Sequence, residues 1–293
     1  MCGPTAAGKS AVAMYLATLR PTTIVSADSR QIYRGFDVGT AKPSVADLAR
    51  VPHRGIDIID PAQRYTAAAW VESAACWIDE AYVAGTVPVV VGGTGMYLRA
   101  LFDGLFAEPP LDERRRRSLD ATLGTMSVAE LRRWVDALDP PRSHLGRTQL
   151  LRAVEIALLT GRRMSDLHRE TVREPRWRAR YLLVDPGPAL AGRIAARIDD
   201  MLDHGWPEEV QRLMGGVPPD APAWNAAGYA AVRDWIGGRV TRAGAIERIL
   251  IETRQYAKRQ RTWFRHQVPS DRVTHVNPLD EGWPIAAREW AAR

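Results

Sequence analysis

The residues Gly3-Pro4-Thr5-Ala6-Ala7-Gly8-Lys9-Ser10 match a pattern that binds phosphate: glycine, four residues of any type, glycine, lysine, then serine or threonine. Gly3 and Gly8 allow the backbone to turn so that successive N–H groups face inward. Lys9 adds a point charge, and Ser10 carries a hydroxyl suited to magnesium. Further along, Asp28 follows a short β-branched run and heads the sequence Asp28-Ser29-Arg30-Gln31, where a carboxylate could accept a proton from a substrate or orient a metal-bound water. Capping a following helix is an equally good use of that position. Thr94, inside Gly92-Gly93-Thr94-Gly95, offers a hydroxyl beside glycines that permit close backbone approach. A tight turn would explain those glycines but leaves Thr94 without a role. Arg193 and Arg197 stand four apart, so on a helix they project together, either toward an anion or into surface ion pairs.

The elements that must position these groups follow from hydrophobic periodicity. Residues 10–19 read as a helix with Val12, Leu16 and Leu19 on one face, so its positive N-terminus meets the phosphate loop. Thr22–Ser26, His53–Asp60, Val87–Val91 and Tyr181–Val184 read as strands, and Thr66 caps a helix running to Ala84. Strands alternating with helices imply a parallel sheet flanked by helices, an α/β architecture like that of the P-loop NTPases, whose ligands bind at the carboxyl ends of the strands. Only Met1 and Cys2 precede Gly3, so the buried strand from which such a loop usually leaves is expected to be missing, through a late start or a shortened core.

From residue 107 to 179 the strand pattern gives way to arginine-rich helical sequence, with Glu108-Pro109-Pro110 and Arg173-Glu174-Pro175 at its edges. This is read as a helical insertion domain within a discontinuous core of residues 1–106 and 180–293. The run Arg114-Arg115-Arg116-Arg117 suits either a solvated helix face or nucleic acid. A last long helix, residues 243–266, places Arg254, Lys258, Arg261 and Arg265 in one stripe, opposite Ile249, Tyr256 and Trp263. Four cations without acidic partners point to a phosphate backbone.

Composition narrows the classes. The formal charge is +6, which suits an anionic partner or simply a basic enzyme. Two cysteines and six scattered histidines form neither a disulfide framework nor a zinc site. With no apolar run of membrane-spanning length, and with a phosphate loop in place of a signal peptide, a cytoplasmic protein is expected.

Taken together, GPTAAGKS, ADSRQIYRGFDVGTAKP, VGGTGMYLRAL, RAVEIALLTGR and TRQYAKRQRTWFR, in this order, resemble the tRNA dimethylallyltransferases over nearly the whole chain. The resemblance implies transfer of a dimethylallyl group from dimethylallyl diphosphate to N6 of the adenine immediately 3′ of the anticodon, adenine 37, with Mg2+ and release of diphosphate. It implies that Asp28 is the general base, Thr94 contacts the bridging region of the diphosphate, and Arg197 neutralises the leaving group beside Lys9 and the loop amides. In the family, Asp28, Ser29, Arg30 and Gln31, the segment of Gln149 and Arg152, and the basic tail meet tRNA. Two departures bear on this: the stretch His144 to Gln149 differs from the family's usual pairs, and Gly187 stands where relatives commonly carry arginine, shifting diphosphate binding onto Arg193 and Arg197. A monomer is expected. The rival readings are a phosphate-loop small-molecule kinase using ATP, which needs no basic tail, an adenylate dimethylallyltransferase acting on free nucleotide, against which the tail and the helical insertion argue, and an inactive relative that only binds nucleic acid.

Overall fold

The computed structural model describes residues 1–104, 111–170 and 175–292. The chain divides into two compact units, Met1–Phe102 with Trp177–Arg293, and Asp103–Arg176. The expected insertion of 107–179 differs from this division by a few residues at each end, and its markers at 108–110 and 173–174 lie outside the described residues.

In the larger unit the elements run α1 (Lys9–Leu19), β1 (Thr22–Ser26), α2 (Val45–Arg50), β2 (His53–Arg54), α3 (Ala67–Val83), β3 (Val87–Val91) and α4 (Gly95–Phe102). The helical unit contributes α5 (Glu113–Gly124), α6 (Val128–Leu138), α7 (Arg147–Thr160) and α8 (Met164–Glu170). The larger unit then resumes with β4 (Tyr181–Val184), α9 (Leu190–Asp203), α10 (Trp206–Met214), α11 (Tyr229–Ile236), α12 (Arg242–Gln267), β5 (Val273–Val276) and α13 (Trp283–Ala292).

The strands form two parallel groups, β2-β1-β3 and β4-β5, with Ile24 opposite both His53 and Val89, and Leu182 opposite Thr274. No strand precedes α1, as expected, and its place in the sheet is taken by the bridge residue Cys2. Cys2 bridges in parallel to both Gly92 and Leu183, donating its N–H to Leu182 O (2.9 Å) and accepting from Val184 N–H (2.9 Å), while Gly92 N–H reaches Met1 O at 3.2 Å. Two residues therefore stand where the strand should and join the two groups at the end from which the phosphate loop leaves. A parallel ladder bonds alternate residues to each neighbour, so one residue can bridge both.

The strand expected over His53–Asp60 is shorter. It breaks after Arg54, where Gly55 and Asp57 take φ of 81° and 55°, and rejoins only as a single bridge from Ile59 to Tyr33. The Thr66 side chain does cap α3, accepting from Ala69 N–H.

One apolar cluster packs α1 and α13 against the sheet, and a second packs α3 and α4, with Trp70 donating from Nε1 to Ser26 O at 3.1 Å. A third gathers α9–α12 around Phe36, Trp206, Trp224 and Tyr229. Each large side chain so buried contributes about 1.5–3 kcal/mol, which makes the α9–α12 cluster a rigid backing for the loops in front of it. In the helical unit, Leu131, Val135, Leu150 and Val154 form the core between α6 and α7.

Candidate active site around the phosphate loop

The phosphate loop leaves Cys2 in the conformation its glycines require. Gly3 has φ of 149°, and a Cβ there would lie 2.1 Å from Val184 O; Gly8 has φ of 98° and starts α1 without a side-chain cap. The first N–H groups of α1 are thus left to face an anion rather than a capping oxygen. Lys9 Nζ folds over the loop to Gly3 O (3.0 Å) and Pro4 O (2.8 Å). From α9, Arg193 Nε donates to Ala6 O (2.9 Å), and Arg197 Nη1 donates to Thr5 Oγ1 (3.3 Å). The i, i+4 spacing on α9 therefore brings both guanidinium groups onto the loop, while Ile194 and Ile198 stay in the core.

Asp28 sits just past the end of β1. No helix follows it; instead Oδ1 accepts from Arg30 N–H (2.8 Å), closing a turn. Asp28 and the phosphate loop face one cavity of about 790 Å³, which Gln31, Arg193, Arg197 and Tyr256 also line. A second cavity of about 400 Å³ shares Asp28, Arg197, Thr40 and Tyr256 with the first and has Ile194, Ile198 and Ile249 on its walls.

Burial sets the charge states here. It lowers Lys9 from its ordinary value to about 8, helped by Arg197 and opposed by the Asp28 carboxylate. It lowers Arg197 as well, again opposed by Asp28. Tyr256 is pushed up to about 12 by burial and then by Asp28, so its hydroxyl remains a donor. Cations held out of water around a capless helix start create a strong demand for an anion.

Thr94 stands behind this front. Its N–H donates to Ala27 O (3.1 Å), its Oγ1 accepts from Ser29 N–H (3.0 Å), and it pairs with the Tyr256 hydroxyl. It lines neither cavity. Ser10 lies exposed at the rim of the larger one. Ser29 and Arg30 are half-buried, and Arg30 lines the second cavity. Gln31 is engaged at both ends, accepting from Ser26 Oγ (3.0 Å) and donating to Ala41 O (3.0 Å) and Thr40 O (3.3 Å).

The basic stripe on α12 is broken. Arg254, Lys258 and Arg265 are exposed, but Arg261 forms a two-pronged ion pair with Asp185 and donates to Gly187 O. Asp185 is 76 positions away, so helical spacing gave no warning that the third cation had an acidic partner. Arg261 therefore fixes the turn after β4, where Gly187 takes φ of 61°. In the helical unit, Gln149 caps the start of α7 by accepting from Gly146 N–H (3.3 Å), and Arg152 pairs with Glu155, which also binds Arg116.

Sequence reasoning missed Gln260. It is 6% exposed, accepts from Thr5 N–H (2.7 Å) and donates to Gly93 O (2.9 Å), so one amide ties the phosphate loop to the glycine turn. The available signal was a polar residue on the Tyr256 and Trp263 face of α12.

Three comparisons bear on this arrangement. A family model described as IPP transferase matches residues 31–267. A tRNA dimethylallyltransferase of Thermomicrobium roseum is 39% identical over 302 aligned positions, covering 100% of this chain and 90% of that protein. One from Halorhodospira halophila is 42% identical over 287 positions, covering 95% of this chain and 93% of its own. Among solved structures, a full-length tRNA isopentenylpyrophosphate transferase of Bacillus halodurans superposes with a TM-score of 0.70 at 31% identity, covering 99% of this chain and 93% of that one.

Proposed function

The chain belongs to the tRNA dimethylallyltransferase family; it is a prenyltransferase that acts on tRNA, and we propose that dimethylallyl diphosphate is its donor and N6 of adenine 37, 3′ of the anticodon, its acceptor. The observation that carries this reading is a single cavity in which the phosphate loop, Lys9, Arg193 and Arg197 face Asp28. A phosphate site opposite a carboxylate suits the displacement of diphosphate by a weakly acidic amine.

The nitrogen attacks C1 of the dimethylallyl group, the bond from C1 to the diphosphate oxygen breaks, and the proton on nitrogen passes to the Asp28 carboxylate. An exocyclic amine is too weak an acid to ionise first, so proton loss accompanies bond formation. The leaving oxygens gain charge as the bond breaks. Lys9, Arg197 and the α1 amides then bind the transition state more tightly than the ground state. The base must leave the anticodon-loop stack to reach Asp28, as other nucleobase-modifying enzymes require. Magnesium fits the donors at the loop: it binds through one or two protein oxygens plus substrate phosphates. Ser10 offers such an oxygen, whereas the described residues contain no cluster of three or more metal-binding side chains. It would supply charge neutralisation of the diphosphate. No helix among the described residues is long and apolar enough to cross a membrane.

The test is transfer of labelled dimethylallyl to an anticodon stem-loop, compared with AMP and with a loop whose target adenine is guanine. Transfer confined to the adenine loop is expected; ATP-dependent phosphorylation of a small alcohol with no prenyl transfer would favour the kinase reading instead.

Lys9 adds a pH signature. Its ammonium is fully charged only below its pKa of about 8 in the free protein, and a bound diphosphate raises that value. Above the second ionisation of the diphosphate, at about pH 6, diphosphate affinity is therefore expected to be nearly flat to pH 8 and to fall above it, by at most about tenfold per pH unit for one proton. Calorimetry in buffers of different ionisation enthalpy should register more proton uptake at pH 8.5 than at pH 7.

The tail gives a second expectation. Replacing Arg254, Lys258 and Arg265 by alanine should weaken tRNA binding and lower the slope of log affinity against log salt by about one per phosphate contact removed. Arg261→Ala should leave the slope unchanged, because that side chain is committed to Asp185.

A further inference from the structure

The loop of residues 36–42 walls both cavities. Val38, Thr40 and Ala41 face the larger, Gly39 and Thr40 the smaller. It has no regular structure of its own, so other elements must hold it.

The grip from behind is a buried carboxylate. Glu209, in the first turn of α10, is 1% exposed. One of its oxygens accepts from both Asp37 N–H (2.9 Å) and Val38 N–H (2.7 Å), and the other from the Tyr229 hydroxyl (2.5 Å). All three donors are neutral, and burial together with the Glu209 carboxylate pushes the Tyr229 phenol up, which keeps it a donor. The same helix sets the contact distance. A Cβ on Gly39 would come within 2.2 Å of Trp206 Nε1, so the backbone lies directly against α10. From the other side, Lys42 Nζ donates to Tyr33 O (2.6 Å) and pairs with Asp37 and Asp57.

We propose that Glu209 is a positioning residue that sets the length of prenyl group the enzyme accepts, by fixing the 36–42 loop where the two cavities meet. This rests on the prenyl-transfer reading. The reacting carbon is bonded to the diphosphate in the loop and must reach the nucleophile at Asp28. Thr40 faces both cavities at that junction, along with Asp28 and Arg197. A hydrocarbon longer than five carbons has to pass the loop, so the position of the loop decides whether it can. A carboxylate suits this task because it accepts at every lone pair and brings no donor of its own to be satisfied. Removing it strands two part-buried N–H groups, which the loop relieves by moving off α10 toward solvent.

The measurement is competition between dimethylallyl and geranyl diphosphate for one anticodon stem-loop. One methylene in an apolar pocket is worth only about 10- to 200-fold, so Glu209→Ala is expected to raise the geranyl-to-dimethylallyl ratio by about tenfold, the low end of that range. Glu209→Gln, whose amide oxygen can still accept from both N–H groups, should stay within about threefold of wild type. Tyr229→Phe removes a partner of the same carboxylate and the hydroxyl that the Gly39 N–H of the loop reaches, so it should move the ratio in the same direction as Glu209→Ala; Val232→Ala, a cavity in the same apolar cluster, should lower the melting temperature without moving the ratio. Should Glu209→Ala not fold, Glu209→Asp carries the same test, since its shorter side chain withdraws the carboxylate from the loop. An unchanged ratio in the alanine or aspartate variant, or a ratio that merely follows melting temperature across the series, overturns the assignment. Wild-type protein that transfers neither prenyl group would instead remove the premise.

Discussion

Asp28→Asn is expected to slow transfer by about 10²- to 10⁴-fold, the range for loss of a positioned general base, while tRNA binding measured by filter retention survives. The substitution keeps the size of the side chain and an oxygen that can accept from Arg30 N–H, so the turn after β1 should persist. What disappears is the carboxylate that acts on both Lys9 and Arg197. It raises the pKa of Lys9, so without it Lys9 should lose its proton at lower pH than in the wild type. The variant should therefore combine a depressed rate constant with a diphosphate affinity that begins to fall below pH 8. Full activity would exclude Asp28 as the base. Full activity loss together with loss of tRNA binding would mean that Asp28 serves the fold or the RNA rather than the proton.

Arg197→Ala should cost about 10²- to 10³-fold in kcat, the magnitude for one donor aimed at developing charge. The side chain is buried against the phosphate loop, and its cation lowers Lys9. Removing it should raise the Lys9 pKa, moving the fall in diphosphate affinity to higher pH, opposite in sign to the Asp28 variant. Arg197→Lys should not restore activity, since an ammonium lacks the planar fork that can meet Thr5 and a phosphate oxygen together. A variant with unchanged kcat and a raised KM alone would show that Arg197 holds the ground state and the transition state equally. Paired with the Asp28 series, opposite displacements of one pH profile would locate both groups beside Lys9.

Local signals in the chain place most elements where a few neighbouring residues decide the outcome. The glycine spacing of the phosphate loop, the Thr66 cap of α3, the buried runs of β1, β3 and β4 and the i, i+4 pair on α9 all depend on interactions within about one turn or one strand. These same local rules misjudged His53–Asp60, because the positive φ of Gly55 and Asp57 interrupts a run that composition alone favours as a strand. They also assigned Asp28 a possible helix cap where only a turn follows.

What escaped the sequence depends on partners far along the chain. Arg261 was grouped with three exposed cations because helical spacing tells which residues share a face, not what that face meets; Asp185 meets it. Gln260 looked like one more polar residue on α12, yet it binds Thr5 from 255 positions away and Gly93 from 167. Glu209 carries no motif at all, and its meaning comes from the amides of Asp37 and Val38, which lie 172 and 171 positions from it. Residue types and their spacing declare the chemistry on offer: a phosphate loop, one carboxylate after a strand, paired arginines and a basic helix. Only the tertiary structure decided which of those groups share a cavity and which are spent on holding it, because α9, α10 and α12 are brought to the sheet edge by burial of their apolar faces, and burial is blind to the polar residues carried along with them.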